Sequence, residues 1–336
     1  MKKPAYNVAV VGVTGAVGEE MLRVMERRSF PVANIKLLAS SRSAGKPLEF
    51  RGKEHAVEAL RVNSFEGVDI AFFSAGGSIS KEFVPIAVDC GATVVDNSSA
   101  FRMHDGVPLI VPQVNGAAVS THRRIIANPN CTTAITLMAL APLHRAFGVK
   151  RIFASSYQAV SGAGARAIAE LREQTKRVSG GHKVEPEVFP HQIAFNVIPH
   201  IDAFTGNGYT KEEMKMQNEG AKILGLPGFH ASVTCVRVPV FRAHSVAVSA
   251  EFERPVDLDA ARAAIREFPG VELFDDPDAN HYPMPVDCAG KDNCVVGRLR
   301  KDCAFENGLS FWVCGDQLLR GAALNAVEIA ELVIKL

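Results

Sequence analysis

The sequence predicts an α/β fold in two parts: a parallel sheet wrapped by helices, then an α+β part built on a mixed sheet. Short apolar strands without polar alternation recur between helical segments over residues 1–130, the pattern of a parallel sheet covered on both faces. Beyond residue 150 the strand-like runs lengthen and begin to alternate, as in a sheet with one packed and one partly polar face. The length, 336 residues, exceeds one ordinary domain and can supply two sizeable cores. The last apolar helix is expected to return to the first part, giving domains of 1–130 plus 315–336 and of 131–314.

In order, Asn7–Val11 is a short strand closed by a glycine loop, and Glu19–Arg28 is a helix with Met21, Leu22, Val24 and Met25 on its apolar stripe. Ile35–Ala39 and Val68–Phe73 are further strands, and Ser78 is placed as the N-cap of a helix running to Val88. Thr93–Asp96 and Ile125–Ala127 complete this set. A helix runs from Cys131 to about Phe147, with Pro142 marking a kink or weak end. Arg151–Gln158, Ala231–Val240 and Ser245–Glu253 are the longer strands, and Val246, Val248, Ala250 and Phe252 share one face of the last. Helices are expected at Ala163–Val178, at Thr210–Leu224 with Thr210 and Glu213 at capping-box spacing, and at Leu258–Phe268. Leu318–Ile334 is the last helix. Ser179–Asp202 is polar and Pro-containing, an excursion suited to covering a site or a subunit partner.

Apolar residues make up 47% and charged residues 22%, a globular rather than a disordered composition. A net charge of +1 gives no global field for nucleic acid or an anionic membrane, so any anion site must be local. The start, Met1-Lys2-Lys3-Pro4, has no leader-like apolar region, and no apolar stretch is long enough to span a bilayer. Seven scattered cysteines, an odd count, read as reduced thiols and a cytoplasmic location. Cys288, Cys294 and Cys303 lie close in sequence but form no tight ligand pair, so no metal is expected.

Gly12, Gly15 and Gly18, spaced three apart between a strand and a helix, form a variant of the dinucleotide fingerprint. The loop Gly12-Val13-Thr14-Gly15-Ala16-Val17-Gly18 would turn tightly and aim helix N–H groups at a pyrophosphate. The alternative is a purely structural βα turn. The second strand ends in Ser40-Ser41-Arg42 and offers no carboxylate for a ribose hydroxyl. Its hydroxyls and cation suit a 2′-phosphate, so NADP is favoured over NAD, unless Arg42 is only a solvated loop residue.

Asn128-Pro129-Asn130-Cys131-Thr132-Thr133 places a cysteine at a helix start just after a strand. Helix N–H groups and the dipole there favour a thiolate, which can carry an acyl group. The bland alternative is a small buried hydrophobe, as expected for the other six cysteines. That run resembles the nucleophile motif of aspartate-semialdehyde dehydrogenases. So do Gly12–Gly18, Ser98–Arg102, Tyr157–Gly164, Asn218–Leu224, Arg237–Ser245 and Gly321–Asn325, which follow in order along nearly the whole chain.

The resemblance implies an N-terminal Rossmann-type dinucleotide-binding domain plus an α+β catalytic and dimerisation domain with a mixed sheet. It implies reversible NADPH-dependent conversion of L-aspartyl-4-phosphate to L-aspartate 4-semialdehyde and phosphate through a Cys131 thioester, in the biosynthesis of lysine and diaminopimelate, threonine, methionine and isoleucine. His244, seven residues after Arg237, would be the acid/base that activates the thiol and protonates the intermediate. Gln158 would orient the acyl group, and Asn130 would position the Cys131 neighbourhood. Arg102 and Lys222 match phosphate-binding positions, and Arg237 matches the fork for the substrate carboxylate. Glu219 shares a helix face with Lys222 and would take the substrate ammonium, the alternative being an ordinary surface ion pair. Ser161, Gly162 and Gln317 would face the nicotinamide half of the cofactor, Gln317 standing where many relatives carry Asn. A homodimer through the second domain's sheet is implied. Two other readings stay open: a related phosphorylating dehydrogenase of the N-acetyl-glutamyl-phosphate reductase type, whose acetylated substrate lacks the ammonium, and an NADP-binding protein without turnover.

Overall fold

The structure, a computed structural model, describes residues 3–336, so Met1 and Lys2 lie outside the described residues. It divides into two compact units, residues 1–130 with 322–336, and residues 131–321.

In the first unit, β1 (Tyr6–Val11), α1 (Ala16–Arg27) and β2 (Val32–Ala39) open the chain. A small hairpin of β3 (Pro47–Phe50) and β4 (Lys53–Ala56) follows, then β5 (Glu58–Ala59), β6 (Ile70–Phe73), α2 (Gly77–Asp89), β7 (Thr93–Asp96), α3 (Pro112–Asn115) and β8 (Ile125–Ala127). The sheet order is β5-β2-β1-β6-β7-β8, every pairing parallel. β6 is buried at all four positions, which explains its unbroken apolar run. The cap of α2 is Gly76 at φ +89° rather than Ser78, since only the left-handed region turns the chain there. The terminal helix (Leu324–Val333) belongs to this unit, where Glu331 accepts both Arg28 Nε and Nη2 at 2.7 Å. It is preceded by a π-helical segment, Leu319–Ala323, so the expected single helix from Leu318 is two pieces.

The second unit holds α4 (Cys131–Phe147), β9 (Val149–Gln158), α5 (Ala165–Ser179), α6 (Lys211–Leu224), β10 (His230–Arg237), β11 (His244–Phe252), α7 (Leu258–Arg266), β12 (Val271–Leu273), α8 (Pro285–Cys288), β13 (Cys294–Lys301) and β14 (Gly308–Gly315). Its sheet runs β10-β9-β11-β14-β13-β12, parallel at both outer pairs and antiparallel between. β12 to β14 have no counterpart among the expected strands. β10 stops at Arg237, short of the expected Val240, because the chain turns off to pair Ile198 with Arg237 and Val238 with Gln158. α4 is apolar on all sides and buried along most of its length, so it packs under the sheet, and Pro142 sits inside without ending it.

α6 guards the sheet's β10 edge. Thr210 caps it by accepting from Glu213 N–H, while Glu213 bonds back to Thr210 N–H at 2.7 Å. The other Glu213 oxygen accepts Cys235 N–H at 2.9 Å, satisfying an edge donor that would otherwise stand open. The Ser179–Asp202 excursion packs on α5: Gln174 accepts Ile193 N–H and Ala194 N–H, and Phe189, Ile193, Ala194 and Ile198 form a small core with Ala167 and Leu171. Thr210→Ala is expected to cost about 1 kcal/mol, and Glu213→Ala about 2–3 kcal/mol because it also orphans Cys235 N–H. Denaturant midpoints of the two variants would check the ranking.

Candidate active site

One end of the mixed sheet gathers side chains from distant stretches of sequence. β9 and β10 run parallel and end opposite each other at Gln158 and Arg237. β11 runs the other way, so its first residue, His244, arrives at that same end, paired with Gly315 at the close of β14. All three side chains are buried.

The backbone of Ala159 holds two of them. Its N–H donates to His244 Nδ1 at 3.0 Å, and its carbonyl accepts Arg237 Nη1 at 2.7 Å. Gly162 closes over both: a Cβ there would lie 3.1 Å from Arg237 Nη1 and 3.2 Å from His244 Nε2. The guanidinium also lies over the Phe189 ring, 5.7 Å from its centroid. Burial lowers the Arg237 pKa, and the Glu212 carboxylate and the Cys131 thiolate oppose that shift. Arg237 therefore stays cationic and acts electrostatically on the thiol. Cys131 itself is half-buried at the first position of α4, with Thr132 Oγ1 3.9 Å from its sulfur. Gly321 abuts it so closely that a Cβ would stand 2.6 Å from Cys131 Cβ.

Because Ala159 donates to Nδ1, that nitrogen carries the lone pair and the neutral imidazole carries its proton on Nε2. Nε2 is buried without a protein partner. Burial, and then the Arg237 charge, push the His244 pKa down to about 3. A ring held neutral with Nε2–H is a hydrogen-bond donor at that nitrogen. The residue before it, Ala243, is buried at φ +73°, a strained conformation that its neighbours enforce. Ala243 N–H donates to Gln317 Oε1 at 2.8 Å, while Gln317 Nε2 donates to Ser161 Oγ. The Gln317 amide thus clamps the His244 approach, and both of its ends already have protein partners. Asp316 adds to the clamp by accepting Gly290 N–H at 2.6 Å and Arg242 Nε at 2.5 Å.

Gln158 is tied on both sides. Its Oε1 accepts Ser156 Oγ–H at 2.8 Å and its Nε2 donates to Glu212 Oε1 at 3.2 Å. Lys215 Nζ donates to the other Glu212 oxygen at 2.7 Å and to Asp202 at 3.0 Å. Burial works against the Lys215 charge, but the two carboxylates win and raise its pKa.

α6 therefore presents Glu212 and Lys215 to this network; Glu219 and Lys222 lie two turns and about 10 Å further along the helix. The two pairs share the same three-residue spacing, so spacing alone cannot choose between them. The signal available was Glu212 itself, a second acid beside the capping Glu213.

In the first unit, Arg102 is buried and donates to the carbonyls of Asn128 at 2.8 Å and Asn97 at 2.7 Å, bracing the turn that contains the buried Asn130. The glycine loop fits a dinucleotide. Gly12 has φ +83°, and a Cβ there would meet Ser74 O at 2.5 Å; a Cβ on Gly18 would meet Gly12 O at 2.4 Å. Gly15 is the N-cap of α1 and supplies no side-chain cap, which leaves Ala16 and Val17 in the first turn to face an anion. Ser40, Ser41 and Arg42 are exposed where β2 passes into a 3₁₀ turn, and none is a carboxylate.

A sequence profile described as semialdehyde dehydrogenase, NAD binding domain, matches residues 7–122, and one described as semialdehyde dehydrogenase, dimerisation domain, matches 140–320. The chain is 52% identical over 334 residues to the aspartate-semialdehyde dehydrogenase of Aquifex aeolicus, covering 98% of each chain. This chain belongs to the aspartate-semialdehyde dehydrogenase family. A crystal structure of aspartate semialdehyde dehydrogenase II from Vibrio cholerae, complexed with ASA, superimposes with TM-score 0.96 at 46% identity over 99% of both chains. The aspartate-semialdehyde dehydrogenase of Candida albicans, solved with NADP, matches with TM-score 0.75 at 25% identity over 98% of both. The first unit is the Rossmann-type NAD(P)-binding part of this family's fold, and the second is its mixed-sheet dimerisation part.

His244 also sets an acid limit on stability. Its folded-state pKa of about 3 lies below its unfolded value of 6.5, so as pH falls the unfolded chain takes up the proton first and stability is lost below about pH 6.5. Between pH 6.5 and 4.5 this one group costs about 2–3 kcal/mol. Urea midpoints at pH 7 and pH 4.5 should fall further apart for the wild type than for His244→Gln.

Proposed function

We propose that this chain catalyses the reversible, NADPH-dependent conversion of L-aspartyl-4-phosphate to L-aspartate 4-semialdehyde and phosphate. The observation that carries this reading is the Ala159 clasp, which sets a neutral imidazole donor and a buried guanidinium at the strand ends, with Cys131 within electrostatic reach of that guanidinium.

Cys131 Sγ, as thiolate, attacks the C4 acyl carbon, and phosphate leaves with the electrons of the broken C–O bond. Helix N–H groups at the start of α4 and the Arg237 charge favour that thiolate. NADPH, when bound, supplies the hydride that reduces the thioester carbon. The uncommitted N–H of Gln158 and His244 Nε2–H donate to the acyl oxygen as it becomes an alkoxide. Collapse of that alkoxide expels the thiolate, so His244 acts by hydrogen bonding rather than by giving up its proton. Arg237 forks onto the α-carboxylate, and Glu212 receives the α-ammonium next to it. Lys215 serves as the phosphate cation from α6, with Arg102 as the second. The ammonium-binding acid favours a free amino-acid substrate over an N-acetylated one.

Gly12, Thr14, Gly15, Ala16, Val17 and Gly18 would hold the pyrophosphate of NADP, and Ser40, Ser41 and Arg42 the 2′-phosphate. Ser161 and Gly162 would line the nicotinamide side. The enzyme is read as a cytoplasmic homodimer with no nucleic-acid or membrane partner. Its interface would be the uncovered face of the mixed sheet, where Phe153 stacks on Phe305, Tyr157 packs at a tilt against Trp312, and Phe153 stays 50% exposed.

Purified protein should reduce NADP with aspartate semialdehyde only when phosphate is present, and Cys131→Ser should lose about a thousandfold or more in kcat while still binding NADP. Retained turnover in that variant would rule out the thioester. Arg42→Ala should raise KM for NADP about tenfold and leave KM for NAD nearly unchanged, as expected for one lost charge-assisted phosphate contact. Equal effects on both cofactors would remove Arg42 from the 2′-phosphate site.

A further inference from the structure

The amide of Gln158 can face the reacting acyl group with its N–H only if its oxygen is turned away. We infer that Ser156 is the positioning residue that turns it, with the buried thiol of Cys235 behind it. The inference rests on the proposed reaction and adds residues that the reaction itself does not name.

The register makes the arrangement. On β9, Ile152, Ala154, Ser156 and Gln158 alternate onto the packed face, and on β10 so do Val233, Cys235 and Arg237. The parallel pairing puts Cys235 beside Ser156 and Arg237 beside Gln158. Ser156 is fully buried, so its hydroxyl proton must find an acceptor inside the protein. The acceptor is Gln158 Oε1 at 2.8 Å. The Cys235 thiol lies beside Ser156 across the strand pair, and burial keeps that thiol protonated by pushing its pKa up to about 12. The bond has one direction, Ser156 O–H to Gln158 Oε1.

At the other end, Gln158 Nε2 gives one N–H to Glu212 Oε1 at 3.2 Å. A flipped amide would set its oxygen against the Glu212 carboxylate, an acceptor facing an acceptor. With the flip excluded, the second Nε2–H is the one group of this amide that the protein leaves for a ligand. Removing Ser156 Oγ would leave Oε1 buried and unpaired and would let the amide rotate away from the acyl oxygen.

The test is a double-mutant cycle on aspartate semialdehyde oxidation, with thermal melts and NADP binding as checks of the fold. Ser156→Ala should lower kcat about 10- to 100-fold and leave KM for NADP within about twofold, because only the orientation of the acyl group is affected. In the Gln158→Ala background the same substitution should change kcat by less than about twofold. Ser156→Thr, which keeps the hydroxyl, should recover most of the rate, and Ser156→Cys, a weaker donor of similar size, should fall between and serves if the alanine variant does not fold. Full activity of Ser156→Ala in an otherwise active enzyme, or an equal loss with and without Gln158, would overturn the role while leaving the proposed reaction standing. A folded wild type with no activity on the semialdehyde would instead overturn the reaction, and the role with it.

Discussion

The backbone of one residue, Ala159, is shared by the two most consequential side chains of the second unit. Its amide proton goes to His244 and its carbonyl to Arg237. Each bond does more than hold a position. The first fixes the tautomer of the ring and so decides that His244 offers a proton from Nε2. The second spends one guanidinium donor on the backbone and leaves the rest of the fork for a ligand. Both bonds depend on β9, β10 and β11 ending at one edge of the sheet, so the chemistry rests on strand direction before it rests on any side chain.

Charge in this buried setting is balanced locally. Arg237 faces Glu212, Glu212 is held by Lys215, and Lys215 by Asp202 at the end of the excursion. Burying any one of these ions alone would carry a penalty of several kcal/mol, which the alternation of sign offsets. The same logic holds behind His244, where the fully buried Asp316 carboxylate is met by Arg242 and by backbone N–H groups. These networks explain why Ala243 can be kept at a positive φ: the surrounding bonds over-determine it.

Local signals in the chain were readable where one force dominates. The parallel strands of the first unit are buried on both faces, so their apolar runs stand out; Thr93–Asp96 and Ile125–Ala127 match the structure residue for residue. Thr210 and Glu213 announced the start of α6, and the face of β11 followed from Val246, Val248, Ala250 and Phe252. Cys294–Lys301 and Gly308–Gly315 were not legible, because their side chains follow no clean period-two pattern: β13 and β14 are largely buried on both faces at their centres. Glu212 and Lys215 were not legible for a related reason, although Glu219 and Lys222 were singled out. Both pairs stand three apart on one helix, and helical periodicity says which residues share a face but not which turn of that face meets a neighbour.

By itself the sequence determined the order of the apolar strands and of the two long helices between them in the first unit, the glycine loop that leaves room for a backbone-bound anion, and a cysteine at a helix start. All of these are set by contacts between residues near one another in the chain. Only the tertiary structure decided which acid on α6 reaches Gln158, which nitrogen of His244 accepts from Ala159, and how Ser156 meets the Gln158 amide. Those outcomes depend on strand direction, register and burial, which bring together groups separated by tens of residues, and the energies that select them arise only once water has been removed from between them.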